Sequence, residues 1–289
     1  MSARVAVVDV GTNSTRLLVA DVDGAGRAAV VDRRSKVTRL GEGVDATGRL
    51  ADAAMDRVRA VLADYRALTD AAGAARDRAV LTSAVRDAAN GDAFTAEVRD
   101  RFGFDARELS GDEEARLSYL GATAHRSRAE ATLVVDVGGG STELVVGAGD
   151  DLLFHVSTQA GVVRQSERHL RGDPPSAGEL AALTADARAV FAAAVPDAAA
   201  ALPRAAIGVA GTATSLAAIE LGVEPYDPAR VEGHVVTLAA CEAQRDRLAA
   251  MTNAERRALP GLHPDRASVI VAGAVLLVEA LRRFGLDRV

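Results

Sequence analysis

VVDVGGGSTELVVG, residues 134–147, repeats VVDVGTNSTRLLVA, residues 7–20, at nine of fourteen positions. Each copy is an apolar, β-branched run that ends on an aspartate, then a glycine-led turn of small residues, then a second apolar run. That order reads as strand, turn and returning strand. One opening hairpin written twice in a chain of 289 residues predicts two α/β domains with related beginnings. One charge is reversed between the copies: Arg16 in the first stands where Glu143 stands in the second.

Outward from the hairpins the patterns continue in both halves. Residues 4–10 and 15–22 read as paired strands and 28–40 as a third. Apolar residues at helical spacing through Val58, Val61, Leu62, Tyr65 and Leu68 predict a helix over 50–72, stopped before Gly73. A strand over 78–82, a helix continuing to about 101 and a second helix over 110–124 complete a first domain, 1–124. The second domain, 125–289, restarts with strands over 133–137 and 143–146. A further strand and helices near 177–194 follow. A strand over 207–210, a helix over 214–221 and a last helix from Pro264 to Phe284 complete it.

Composition removes several function classes. The net charge of −6 argues against a general nucleic-acid binder, so any polyanion must meet a local basic patch. Cys241 is the only cysteine, which leaves no disulfide framework or cysteine metal site and predicts a cytoplasmic setting. The N-terminal apolar run is too short for a signal peptide and is interrupted by Asp9. The run Ser268–Val278 is too short to span a bilayer, so a buried helix is expected rather than a membrane segment. Lys36 is the only lysine and lies outside any glycine-rich loop, so a P-loop ATPase and a Schiff-base enzyme both fall away. His125, His155, His169, His234 and His263 show no metal-protease or metal-phosphohydrolase spacing.

The hairpin turns carry the most chemistry. Gly11, Thr12, Asn13 and Ser14 in one copy and Gly138, Gly139, Gly140 and Ser141 in the other are small residues whose backbone N–H groups can turn toward an anion. Either turn alone reads equally as an ordinary hairpin; the pair is what points to successive phosphates, held in a cleft if the two domains face each other. In TSAVRDAAN, residues 82–90, Arg86 falls in a first helical turn, where a cation is disfavoured unless a phosphate is bound there. An ion pair with Asp87 or Asp92 is the alternative. In SGDEEARLSYLGA, residues 110–122, Ser110 and Glu113 match a capping box, which leaves Glu114 without a structural task. Such a carboxylate can deprotonate an attacking water, or be a solvated helix residue. Gly211 and Thr212, in GVAGTATSLAA, resemble a third anion turn, with close helix–strand packing as the alternative. Arg33, Arg34, Lys36 and Arg39 lie on or near an exposed strand that could line the path of a polyanion or be an ordinary solvated edge.

DVGTNSTRL, TSAVRDAAN, SGDEEARLSYLG, DVGGGSTELVVG, VAGTATSLAA and HPDRASVIVAGA occur in this order along nearly the whole chain. Together they resemble the exopolyphosphatase and guanosine pentaphosphate phosphatase (Ppx/GppA) family, in its short two-domain actinobacterial form. The resemblance implies two actin-like, ribonuclease H-like α/β domains of the actin, sugar-kinase and heat-shock ATPase superfamily, with the active site in the interdomain cleft. It implies Glu114 as catalytic base, and Asp136 and Glu143, with Asp9, at an essential Mg2+ or Mn2+. Gly11 to Ser14, Gly138 to Ser141, and Gly211 with Thr212 match the phosphate turns, and Arg16 and Arg86 match arginines that grip the phosphate chain. The expected reaction is stepwise release of orthophosphate from inorganic polyphosphate. Hydrolysis of guanosine pentaphosphate is the nearest alternative. An ATP-dependent kinase or a non-catalytic regulator binding guanosine tetra- or pentaphosphate is further off. A homodimer is expected by family analogy only. The chain stops at FGLDRV, where the family continues into a further strand and helix returning to the first domain. Either that closing element is missing from this sequence or the first domain is closed differently, and without the C-terminal extension domains of longer family members short polyphosphate chains are the expected substrates.

Overall fold

The computed structural model describes residues 2–124, 126 and 130–289, and His125 lies outside them. The chain divides into two compact units between Ser110 and Gly111. In the first, β1 (Ala3–Val10), β2 (Ser14–Val22) and β3 (Ala28–Val37) form an antiparallel meander. β4 (Arg76–Leu81) and β5 (Asp105–Glu108) add in parallel, giving the order β3-β2-β1-β4-β5. Parallel pairing of β4 with β1 requires a crossover, and the helix Asp52–Ala71 supplies it. Its Val58, Leu62 and Tyr65 recur at helical spacing and share one buried core with Val8, Leu17 and Val19. The Tyr65 hydroxyl donates to the Thr15 carbonyl at 3.1 Å.

Two expectations for this unit change. The third strand stops at Val37, not at residue 40, because the amides of Thr38 and Arg39 leave the ladder and donate to the Asn13 carbonyl. The helix expected after β4 is two pieces, Ser83–Arg86 and Gly91–Phe102. The interruption is fixed from outside: Ala89 N–H donates to Gly48, and the Asn90 side chain exchanges two hydrogen bonds with the backbone of Leu50.

The second unit repeats the plan with β6 (Thr132–Val137), β7 (Thr142–Ala148), β8 (Asp151–Thr158) and β9 (Ala205–Val209) in the order β8-β7-β6-β9. The first sheet thus has the actin-like, ribonuclease H-like arrangement of a meander extended by two parallel strands, and the second has the same meander extended by one. Side chains alternate across the second sheet. Leu133, Val135, Leu144 and Val146 face the larger core, and Val134 and Val145 face the other side. The helix Gly111–Thr123, which the sequence places at the end of the first domain, packs Ala115 and Tyr119 on that other side. The larger core is organised by the helix Ile270–Arg283, buried along most of its length and packed between the helices Ala177–Ala194 and Leu238–Ala250. The expected helix start at Pro264 is a separate short 3-10 turn, Pro264–Arg266. Among the described residues no helix is long and apolar enough to cross a membrane. The final residues pair with the segment before the helix Leu238–Ala250: Val236 and Val289 exchange backbone hydrogen bonds of 2.8 and 2.9 Å.

Candidate functional site

Both hairpin turns are built as cradles by the same device. In each, the glycine N–H closes the turn on the serine carbonyl at 3.0 Å, Gly11 on Ser14 and Gly138 on Ser141. The other turn carbonyls are then drawn to one side by the chain that follows the third strand. In the first unit Gly41 N–H donates to Thr12 at 2.9 Å, and Thr38 and Arg39 N–H donate to Asn13 at 3.0 Å. In the second, Val162 N–H donates to Gly138 at 2.9 Å, Val163 N–H donates to Gly139 at 2.8 Å, and Arg164 Nε donates to Gly140 at 2.9 Å. A planar trans peptide points its N–H opposite to its C=O. Engaging the carbonyls on one side therefore turns the following amides to the other. No backbone carbonyl among the described residues accepts from the amides of Thr12, Asn13, Gly139, Gly140 or Ser141. Turn donors that meet no backbone carbonyl in a largely buried turn are the ordinary signature of an anion site. Two side-chain atoms in the first cradle, Asn13 Oδ1 and Ser14 Oγ, are also buried without a partner.

The second cradle depends on Gly161. A Cβ there would lie 2.3 Å from the Gly139 carbonyl oxygen and 2.4 Å from the carbonyl carbons of Gly139 and Gly140, so only glycine allows the approach.

The charge reversal acquires a geometry from the register. Asp9 faces Arg16 across the first hairpin, and Asp136 faces Glu143 across the second. In the first unit the result is an ion pair of 3.3 Å between half-exposed side chains. In the second it is a pair of carboxylates, with Glu143 only 2% exposed. Burial, then the carboxylates of Glu114 and Asp136, push the Glu143 pKa up to about 8, against hydrogen bonds from Ser141 and Ser157. Ser157 Oγ donates to Glu143 Oε1 at 2.7 Å, and Ser118 Oγ donates to Asp136 Oδ2 at 3.1 Å. Ser118 lies one helical turn beyond Glu114, so both occupy one face of the helix Gly111–Thr123. That face brings Glu114 beside the carboxylate pair. Glu113, by contrast, is exposed.

Arg86 is positioned differently from its sequence reading. It ends a single helical turn rather than starting a long helix, and its Nη1 donates to the Leu109 carbonyl at 2.9 Å. That turn is tied to the first cradle, because Thr12 Oγ1 accepts from Ala84 N–H at 3.1 Å and shares a 2.8 Å hydrogen bond with Ser83 Oγ. Gly211 and Thr212 lie inside the helix Ala210–Leu221, whose first residue has φ 60° and whose N-terminus carries no side-chain cap. A Cβ on Gly211 would meet Arg266 Nη1 at 1.2 Å, so the guanidinium occupies the place of a side chain there. Sequence reading passed over Arg266, Ser118, Ser157 and Arg164. Only the serine four residues after Glu114 carried a usable spacing signal.

His155, His169 and His234 each stand within 3.3 Å of a carboxylate, namely Asp112, Asp186 and Glu220. Among the described residues no group of three or more His, Cys, Asp and Glu side chains converges as a metal cage. Mg2+ does not require one, since it is commonly held by one or two carboxylates, waters and substrate phosphates. The all-oxygen pair Asp136 and Glu143, whose like charges raise a pKa, suits a hard cation of that kind.

The model of the Ppx/GppA phosphatase family matches residues 17–289. Exopolyphosphatase 2 of Mycobacterium tuberculosis is 41% identical over 299 aligned positions, covering 99% of this chain and 93% of that protein. Among solved structures, the Aquifex aeolicus member of the Ppx/GppA family superposes with TM-score 0.83 at 30% identity, covering all of this chain and 93% of the other. An exopolyphosphatase from Cytophaga hutchinsonii superposes with TM-score 0.89 at 26% identity, covering 99% and 92%.

Proposed function

Because this chain belongs to the Ppx/GppA phosphatase family, we propose that it is an exopolyphosphatase, cleaving the terminal phosphoanhydride of inorganic polyphosphate to release orthophosphate. The names of its mycobacterial and Cytophaga relatives support the substrate class. The observation that carries the reading is the grouping of Glu114, Asp136 and Glu143 beside a cradle whose amides donate to no backbone carbonyl.

In this mechanism the amides of Gly139, Gly140 and Ser141 hold the oxygens of a phosphoryl group. The Glu114 carboxylate accepts a proton from a water as its oxygen attacks phosphorus. The bond from phosphorus to the bridging oxygen breaks, and the shortened chain leaves with the negative charge. Arg16, Arg86 and the turn Gly11 to Ser14 bind phosphate in the first unit, and Gly211, Thr212 and Arg266 do so in the second. Asp136 and Glu143 would hold Mg2+ or Mn2+, which supplies charge neutralisation at the phosphoryl oxygens. Asp9, which the resemblance also assigns to the metal, is held in an ion pair with Arg16. Short chains are the expected substrates.

Phosphate release from tripolyphosphate, long polyphosphate, guanosine pentaphosphate and ATP, with and without Mg2+, tests the substrate. Glu114→Gln tests the chemistry: turnover should fall roughly 10²–10⁴-fold with the fold intact. Full activity in that variant would remove Glu114 from the mechanism.

A further inference from the structure

The two cradles are not held equally. In the first, every carbonyl drawn to one side accepts from backbone N–H groups: Thr12 from Gly41, and Asn13 from Thr38 and Arg39. In the second, the Gly138 and Gly139 carbonyls are likewise held by the first amides of the helix Val162–His169. The Gly140 carbonyl is the exception. It accepts from a side chain, the partly buried Arg164, whose Nε donates at 2.9 Å.

The Gly140–Ser141 peptide is the unit that carries the Ser141 amide. Gly140 and Ser141 are both buried, the peptide is trans, and no backbone carbonyl among the described residues accepts from that amide. A glycine peptide in a turn can rotate about its flanking ψ and φ at small steric cost. Rotation of this one would aim a carbonyl oxygen where the N–H now points, replacing a donor by an acceptor. An anion would meet repulsion instead of a hydrogen bond. A charge-assisted hydrogen bond to the carbonyl opposes that rotation more strongly than a neutral one.

We infer that Arg164 is a positioning residue for phosphate binding, holding the Gly140 carbonyl so that the Ser141 amide faces the anion. The inference rests on the proposed reading of this cradle as a phosphate site. Arg164 touches no substrate in this role. Its effect reaches the phosphate through one peptide plane.

The test compares Arg164→Gln, Arg164→Ala and Arg164→Lys with the unaltered protein in tripolyphosphate hydrolysis and in calorimetric binding of inorganic phosphate. Loss of one held donor should raise KM for tripolyphosphate about tenfold and weaken phosphate binding to a similar degree, with kcat changed less than about threefold. Arg164→Lys keeps a cationic donor on a flexible stem and should be intermediate. Guanidinium ion at millimolar concentration, well below denaturing strength, should recover part of the KM of Arg164→Ala, a recovery that a purely structural role would not give. An unchanged KM and phosphate affinity in Arg164→Gln, or a loss confined to melting temperature, would overturn the inference. Should the neutral variants fail to fold, the KM of Arg164→Lys decides: a value equal to that of the unaltered protein overturns it. If the unaltered protein binds phosphate yet hydrolyses no polyphosphate, the proposed activity fails, and the phosphate affinities still decide the role of Arg164.

Discussion

Replacing Glu143 by Gln should make the protein more stable, and increasingly so as pH rises. The carboxyl is 2% exposed and faces Asp136, with Glu114 nearby, so its pKa is pushed from 4.5 in the unfolded chain to about 8. The folded state therefore binds this proton more tightly than the unfolded state. Its contribution to stability is complete below about pH 4.5 and is lost as pH climbs through about 8. Each pKa unit is worth about 1.4 kcal/mol, so between about pH 5 and about pH 8 the buried carboxyl costs the fold about 3 kcal/mol. Glutamine retains the shape and an acceptor for Ser157 without the titration. In metal-free buffer the melting temperature of Glu143→Gln should exceed that of the unaltered protein by a margin that grows about 6–12 °C over this range. Thermal melts at five or six pH values, with a chelator present, supply the measurement. Parallel melting curves would show that Glu143 does not titrate there and that the proximity of Glu114 and Asp136 has been misjudged.

Two glycine substitutions should separate fold from site. Gly161→Ala sets a methyl against the backbone of Gly139 and Gly140, which has no rotamer to yield, so a loss of about 1–3 kcal/mol in a denaturant melt is expected, along with loss of activity. Gly211→Ala meets the end of the Arg266 side chain, which can swing away. Its melting temperature should hold while KM for tripolyphosphate rises severalfold, and an unchanged KM would exclude Arg266 from phosphate binding.

Much of the fold was readable because its signals are local. The duplicated hairpin, the helix under Val58, Leu62 and Tyr65, and the buried run near the end of the chain all follow from period and turn chemistry within a few residues. The helices Val162–His169 and Leu238–Ala250 and the strand β5 were missed, the last because four residues carry too little pattern. The break after Arg86 was invisible because Gly48 and Leu50 cause it from some forty residues away.

The candidate site divides along the same line. Sequence alone determined that one chain carries two copies of an Asp-Gly turn and that Arg16 and Glu143 occupy matching positions. Pairing of adjacent strands across a short turn then sets them opposite Asp9 and Asp136. Tertiary structure decided what those positions experience. The burial of Glu143, the approach of Glu114 and Ser118, the guanidinium over Gly211 and the capture of the cradle carbonyls by residues 38–41 and 162–164 join segments distant in the chain. The direction in which a turn peptide points depends on who holds its carbonyl, and in both cradles the holder follows the third strand of the sheet.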